Sequence, residues 1–328
     1  MNTPPRLILF SSLDKYLQAL GDGFDEAHVD AIRCLDSKGY PPVVSIRALS
    51  VLFGYRSQFV GAMLNRPQHY YRRFQIRSGK KQRRIDAPRV GLKIIQKWFG
   101  HYLARAITMP DVVVGFVPGR SILHGAAMHC RAKWVFSTDI KDFFQSTPTA
   151  IVKNALVDIG YTEHGAEIAS GLSSLNGVLA QGSPASPVLS NLAFLKVDRQ
   201  LQEYCHERGL VYTRYADDIV ISGAGKPSPN ISSDVRGMIE TGNWQLSEEK
   251  TTLLSLPNRL KVYGLLVDQA RPRLTKGYRR RLRAIRHLVD SGKIDAQNDP
   301  KAYERACGHL AFAQSVEDFS DRVQKDST

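Results

Sequence analysis

Cysteine is scarce in this 328-residue chain: four residues, at positions 34, 130, 205 and 307, with no CxxC pair and no short Cys/His cluster. That argues against zinc fingers and a disulfide scaffold, and the thiols read as reduced ones of a cytoplasmic protein. Long apolar runs are missing too. Near the N-terminus only Leu7–Phe10 are consecutively apolar, too short for a signal-peptide core. Residues 168–195 carry no charge over 28 positions, but Ser, Gly, Pro, Asn and Gln interrupt them throughout. Lipid would solvate such a stretch poorly, so no membrane association is expected. Acid is also short: 31 Asp and Glu against 45 Lys and Arg leave a formal charge of +14.

What is present is ordinary in bulk, with 43% hydrophobic and 23% charged residues, which excludes a disordered or collagen-like chain. The length suits two or three packed subdomains. The basic excess is confined. Residues 66–97 hold eleven Lys and Arg and one acid, Asp86; residues 271–287 hold eight and none. A solvated helix face normally interleaves Glu with Lys, and that interleaving is missing here. Two basic segments therefore read as a footprint for a polyanion.

Residues 24–65 read as short helices, with Ser45 and Ser57 as caps and a turn at Gly54-Tyr55-Arg56. Residues 70–88 read as strand, turn (SGKKQ) and strand, followed by an amphipathic helix after Pro88. WVFSTDI (134–140) is β-rich with an acid, Asp139, at its close; TPTAIVKNALVDIG reads as a helix opening near Thr147 or Thr149, and 185–207 as another. VYTRYA and IVISG are two strand-like runs separated only by Asp217-Asp218. A further helix (VRGMIETGNW), a hairpin or strand (RLKVYGLLVD) and a basic helical tail from 276 follow. The pattern predicts an α+β protein with helices on one face of an antiparallel sheet.

Three acids stand at strand ends: Asp139, with Asp142 three residues on, and the Asp217-Asp218 pair. Asp-Asp is good turn chemistry by itself. Adjacent carboxylates repel, however, and partial burial at a sheet edge raises a pKa unless a cation compensates. Mg²⁺ is the hard cation that takes one or two carboxylates with waters and substrate phosphates, and two ions held this way suit in-line displacement at phosphorus.

The flanks of these acids carry a resemblance. Tyr215-Ala216-Asp217-Asp218 resembles the YxDD box of reverse transcriptases. Gln181-Gly182-Ser183-Pro184-Ala185-Ser186-Pro187, then Leu189-Ser190-Asn191-Leu192, resembles the family's QGxPxSPxLxNL segment. Asp139 to Phe144 resembles the first catalytic box, Arg83 to Pro88 the fingers motif RxIxxP, and Leu246 to Thr251 the lysine-bearing motif. All five stand in family order over about 70–265. Within the family the chain is similar to the retron branch: Gly125-Ala126-Ala127-Met128-His129 resembles NAxxH with Gly for Asn, and Val262-Tyr263-Gly264 resembles VTG with Tyr for Thr. Gly308 to Ala313 is also retron-like.

The resemblance implies a right-hand polymerase: an N-terminal helical region (1–65), fingers and palm (66–265), and a basic helical thumb (266–328). Asp139, Asp217 and Asp218 would hold two Mg²⁺ ions (Mn²⁺ as substitute), with the Ile140 carbonyl completing a shell. Arg83, then Lys81 or Lys80, would grip the triphosphate, since Arg binds phosphate bidentately. Arg84 reads instead as structural, because strand neighbours face opposite ways. Phe144 would exclude the 2′-hydroxyl, with core packing suiting Phe143 better. Gln181, Gly182 and Tyr215 would line the nucleotide site. Lys250 would protonate pyrophosphate, although a solvated lysine fits the same pattern. His129 falls where the branch contacts RNA, although a lone His is more often packed. Arg279, Arg283 and Arg286 share a helix face and, with neighbouring Arg280, would track a duplex. Tyr263 would stack on a base or sugar, with core packing the stronger alternative. The implied activity copies part of a cognate structured non-coding RNA from an internal guanosine 2′-hydroxyl, giving a branched RNA–DNA hybrid (msDNA) from dNTPs. With 110 residues after Asp218 and no second carboxylate set, template removal would fall to a host ribonuclease H. Retrons of this kind often act in phage defence with a separate effector protein. The rivals are another bacterial reverse transcriptase (intron-like or abortive-infection type) and an inactive RNA-binding scaffold.

Overall fold

The computed structural model describes residues 4–78 and 81–325. Four short helices open it: Leu13–Leu20, Glu26–Ser37, Ile46–Phe53 and Ser57–Asn65. Ser45 caps the third by accepting from the Ala48 N–H at 3.2 Å, and Gly54 closes it in the left-handed region at φ +65°. Ser57 is not a cap; it is the first residue of its helix, after Arg56, which makes no side-chain cap bond. These helices share one apolar core with the chain's middle, where Ile32, Leu49 and Val60 join Trp98, Phe194 and Trp244.

A long hairpin follows, Tyr71–Ser78 against Lys81–Pro88, registered from Tyr71↔Pro88 to Ser78↔Lys81. Of the expected SGKKQ turn, Ser78, Lys81 and Gln82 belong to the strands, while Gly79 and Lys80 lie outside the described residues, as does the side chain of Lys81. Helix Val90–Ala106 then packs Leu92, Ile95, Trp98 and Leu103 inward. Residues 163–179, for which the sequence pattern offered no element, form helix Glu163–Ser173 and a small hairpin, Ser174–Leu175 with Val178–Leu179. The 22-residue helix Ser186–Glu207 crosses the core.

The central sheet has four strands in the order Val211–Tyr215, Asp218–Gly223, Trp134–Asp139, Thr252–Ser255, each pair antiparallel. Side chains alternate across a pleat. Trp134, Phe136, Ile219 and Ile221 point into the main core, whereas Val135 and Val220 point into a second one with Leu260, Val262, Leu282 and Val316. The expectation of helices on one face is therefore corrected: both faces are covered. The second is closed by helix Ile122–Met128, the hairpin Lys261–Val262 with Leu265–Leu266, and the helices Lys276–Asp290 and Pro300–Lys325. The architecture is mixed helix and antiparallel sheet. Among the described residues no helix is long and apolar enough to cross a membrane.

Candidate active site

Register brings the three acids together. Asp139 ends the central strand directly opposite Asp218, so both lie on the second face of the sheet. Only Ala216 and Asp217 form the loop, because Asp218 already pairs with Tyr215; the sequence reading had placed both aspartates in the turn. Ala216 takes φ +58°, a conformation that glycine usually supplies. The turn is pinned to the central strand by the Ile140 N–H donating to the Asp217 carbonyl at 2.9 Å.

The carboxylates feel one another. Burial first, then the Asp139 charge, raises the Asp217 pKa. Burial, then the charges of Asp217 and Asp139, raises that of Asp218 to about 6. The Lys250 ammonium, on the last residue of the 3₁₀ turn Glu248–Lys250, pairs with the Asp139 carboxylate. Its partial burial works against the charge, but the bond to Asp139 outweighs this and raises its pKa. A cation is thus already drawn to the oxygens that a divalent ion would take. Donor chemistry fits Mg²⁺: carboxylate oxygens only, with like charges that demand compensation. Among the described residues no three such side chains stand preset in a metal cage. A cavity of about 640 Å³ opens beside Asp139, lined also by Lys141, Arg236, Gln245 and Lys250.

Beneath the turn sits a group that the sequence reading missed. Arg214, fully buried, donates to both Asp198 oxygens at 2.8 and 2.6 Å, to Asn191 Oδ1 at 3.0 Å and to the Ala216 carbonyl at 2.9 Å. Burial opposes its charge, yet Asp198 holds the guanidinium firmly protonated. The signal was available: an arginine as the one charged residue of the strand Val211–Tyr215, and Asn191 and Asp198 seven apart on one helix face. Asn191 also donates to the Gly115 carbonyl at 2.9 Å, and Gly115 lies so close that a Cβ would collide with the Ala216 nitrogen.

The long hairpin is stitched to this centre at Gln181-Gly182. The Asp86 N–H donates to the Gln181 carbonyl at 2.8 Å, and a Cβ on Gly182 would stand 2.7 Å from the Asp86 carbonyl. Gly182 also needs φ +132°. Asp86 is buried and pairs with Arg73 at 2.8 Å and Arg84 at 3.6 Å, so Arg84 is structural as the strand parity predicts. Arg83 is exposed and forms no ion pair with another described residue. Gln145 donates to the Gln181 side-chain oxygen at 2.9 Å. Phe143 is buried, whereas Phe144 is half-buried, its ring 6.1 Å from that of Phe116, which stands 6.3 Å from Tyr215.

Residues 76–279 match the family model described as "Reverse transcriptase (RNA-dependent DNA polymerase)". The chain is 30% identical over 244 residues to the retron Ec86 reverse transcriptase of Escherichia coli, covering 74% of each. It is 30% identical to the retron Se72 reverse transcriptase of Salmonella heidelberg (76% of this chain, 67% of that one) and to the retron Mx162 reverse transcriptase of Myxococcus xanthus (75% and 57%). The chain belongs to the reverse transcriptase family, retron type. It is accordingly an RNA-directed DNA polymerase, of a family that generally uses divalent metals, with an RNA template and dNTPs as substrates.

One expected nucleic-acid contact of this retron-type polymerase is corrected by the geometry. His129 is buried, its Nδ1 paired with Ser222 Oγ at 2.7 Å and its Nε2 with Thr213 Oγ1 at 2.8 Å. Burial pushes its pKa down to about 3, so it is a neutral cross-link behind the strands with no surface for RNA. Tyr263 is half-buried against the second core, its hydroxyl sharing a 2.8 Å hydrogen bond with Thr213 Oγ1. Arg279, Arg283 and Arg286 do share one face, along a groove between the last two helices; Arg280 is exposed but does not line that groove.

Proposed function

We propose that this retron-type polymerase joins deoxynucleotides at the Asp139–Asp217–Asp218 corner and that its product is a branched RNA–DNA hybrid. The observation carrying the reading is the register that sets Asp139 against Asp218, one residue from Asp217, with a lysine ammonium drawn in. Residues 66–265 serve as fingers and palm, 266–328 as a basic helical thumb, and 1–65 as an N-terminal helical region. Asp139, Asp217, Asp218 and the Ile140 carbonyl would hold Mg²⁺. Bound there, the ion would neutralise phosphate charge and ease ionisation of the attacking hydroxyl.

The chain's own residues divide the remaining work. Arg83, exposed on the hairpin, and Lys81 bind the triphosphate of the incoming dNTP. Gln181 and Gly182 bring backbone and amide against the nucleotide, Tyr215 lies beside it, and the half-buried ring of Phe144 leaves no room for a 2′-hydroxyl. Lys250 moves from Asp139 to donate a proton to departing pyrophosphate. Arg279, Arg283 and Arg286, with Arg280 beside them, hold the duplex by its phosphates.

Similarity to retron enzymes supports copying of a cognate structured RNA from an internal guanosine 2′-hydroxyl, in the cytoplasm, with template removal by a host ribonuclease H. A defence role with a separate effector protein rests on that similarity alone. The test is the nucleic acid that co-purifies with the protein. Ribonuclease should leave a short DNA bearing a 2′–5′ linked RNA remnant, which debranching enzyme then removes; linear cDNA alone would favour another bacterial type of reverse transcriptase.

A further inference from the structure

The two departures from the retron-like elements, Gly125 and Tyr263, face each other in space. A Cβ on Gly125 would stand 2.6 Å from Tyr263 Cε2 and 2.9 Å from Val114 Cγ2, closer than real side chains approach. Any larger residue at 125 therefore displaces the tyrosine ring. Tyr263 is itself held unusually. It is the first residue of the two-residue turn joining Lys261–Val262 to Leu265–Leu266, at φ +49°, with Gly264 at φ +86°. Such a turn normally takes Asn, Asp or Gly first, and a bulky left-handed residue persists only where its surroundings fix it.

Those surroundings lead to the catalytic corner. The Tyr263 ring lies 5.8 Å from the Tyr215 ring, tilted by 53°. Its hydroxyl reaches Thr213 Oγ1, which also holds His129 Nε2 at 2.8 Å. Thr213 and Tyr215 share the sheet face of Asp218 and Asp139, and Tyr215 pairs directly with Asp218. Arg214 braces the same turn from the opposite face. An aromatic ring on one side and a guanidinium on the other thus clamp a single strand end.

We propose that Gly125 and Tyr263 form one coordinated unit in which Tyr263 is a positioning residue, holding Tyr215 and through it the Asp217–Asp218 corner. The inference rests on reading that corner as the catalytic one. A small residue at 125 is the condition for the aromatic brace at 263, so the two departures from the family elements are one change.

The test uses the full chain, a primed RNA oligonucleotide, Mg²⁺ and a single dNTP, with kcat, KM and thermal unfolding measured for each variant. Tyr263→Thr should lower kcat about tenfold with KM for the dNTP changed less than about twofold. Tyr263→Phe, which keeps the ring, should recover most of that loss. Gly125→Ala should be at least as damaging as Tyr263→Thr, yet the combined loss should fall well short of additive, because the ring it displaces is already gone and only the Val114 contact remains. Additive losses in the double variant, or a kcat for Tyr263→Thr equal to wild type, overturn the proposal. So does a lower unfolding midpoint with full activity per folded molecule, the mark of packing alone. Asp217→Asn runs alongside: if it synthesises normally, the catalytic reading fails, separately from the brace.

Discussion

Asp198→Asn removes the carboxylate that, among the described residues, pairs with a guanidinium that has no exposure to water. Arg214 and Asp198 are both 0% exposed and share two hydrogen bonds, at 2.8 and 2.6 Å. Attraction inside the fold offsets the desolvation of both charges; taking one away leaves the other buried without a counter-charge, which costs about 3–5 kcal/mol. Against a typical total of about 5–15 kcal/mol that is a large fraction. At roughly 2–4 °C per kcal/mol for chains of this order, the unfolding midpoint should fall by about 10 °C. The paired replacement Asp198→Leu with Arg214→Met removes both charges and should restore most of the midpoint. It should not restore function, because the Ala216 carbonyl and Asn191 lose their donor. Primer extension by the double variant should stay about 100-fold low, the scale of a misplaced catalytic group. Thermal denaturation and single-nucleotide addition read the two arms. A loss below about 1 kcal/mol in Asp198→Asn would refute the reasoning.

Asp218 titrates from about 6 in the fold against an ordinary 3.8. A raised carboxyl binds its proton more tightly when folded, so its contribution to stability is full below about pH 4 and is lost as pH rises through about 6. Metal-free wild type should therefore lose stability relative to Asp218→Asn across that window, and a flat difference in unfolding midpoints would contradict the burial and repulsion described. Gly182→Ala forces a Cβ to within 2.7 Å of the Asp86 carbonyl. It should raise KM for dNTP by about tenfold or more while template binding, measured by filter retention, stays intact. Arg283→Gln should weaken duplex RNA binding evenly across sequences and lower the slope of log K against log salt by about one, read by titration at several ionic strengths.

The acids were legible in the sequence because register and chemistry are both local there: the strand Trp134–Asp139 ends on its acid, and the apolar runs around Ala216-Asp217 fix a hairpin. Only the loop slipped, by one residue, from Asp217-Asp218 to Ala216-Asp217, since composition does not fix which two adjacent residues make the turn. The support was not legible. His129 reaches Thr213 and Ser222 across 84 and 93 positions, and the fit of Tyr263 over Gly125 depends on how a hairpin folds back onto a short helix. A histidine near a helix end reads the same whether it faces RNA or two hydroxyls. Likewise, one-face packing was expected because the covering pieces, a two-residue hairpin and two distant helices, carry no mark of the sheet they close.

Catalysis by the carboxylate corner is tested most directly by single-turnover deoxynucleotide addition to a primed RNA with Asp217→Asn, with RNA affinity and unfolding midpoint measured on the same preparation. Addition should be abolished while the RNA is bound as tightly as by wild type. Addition at the wild-type rate, with Mg²⁺ as the metal, would contradict the role of that corner.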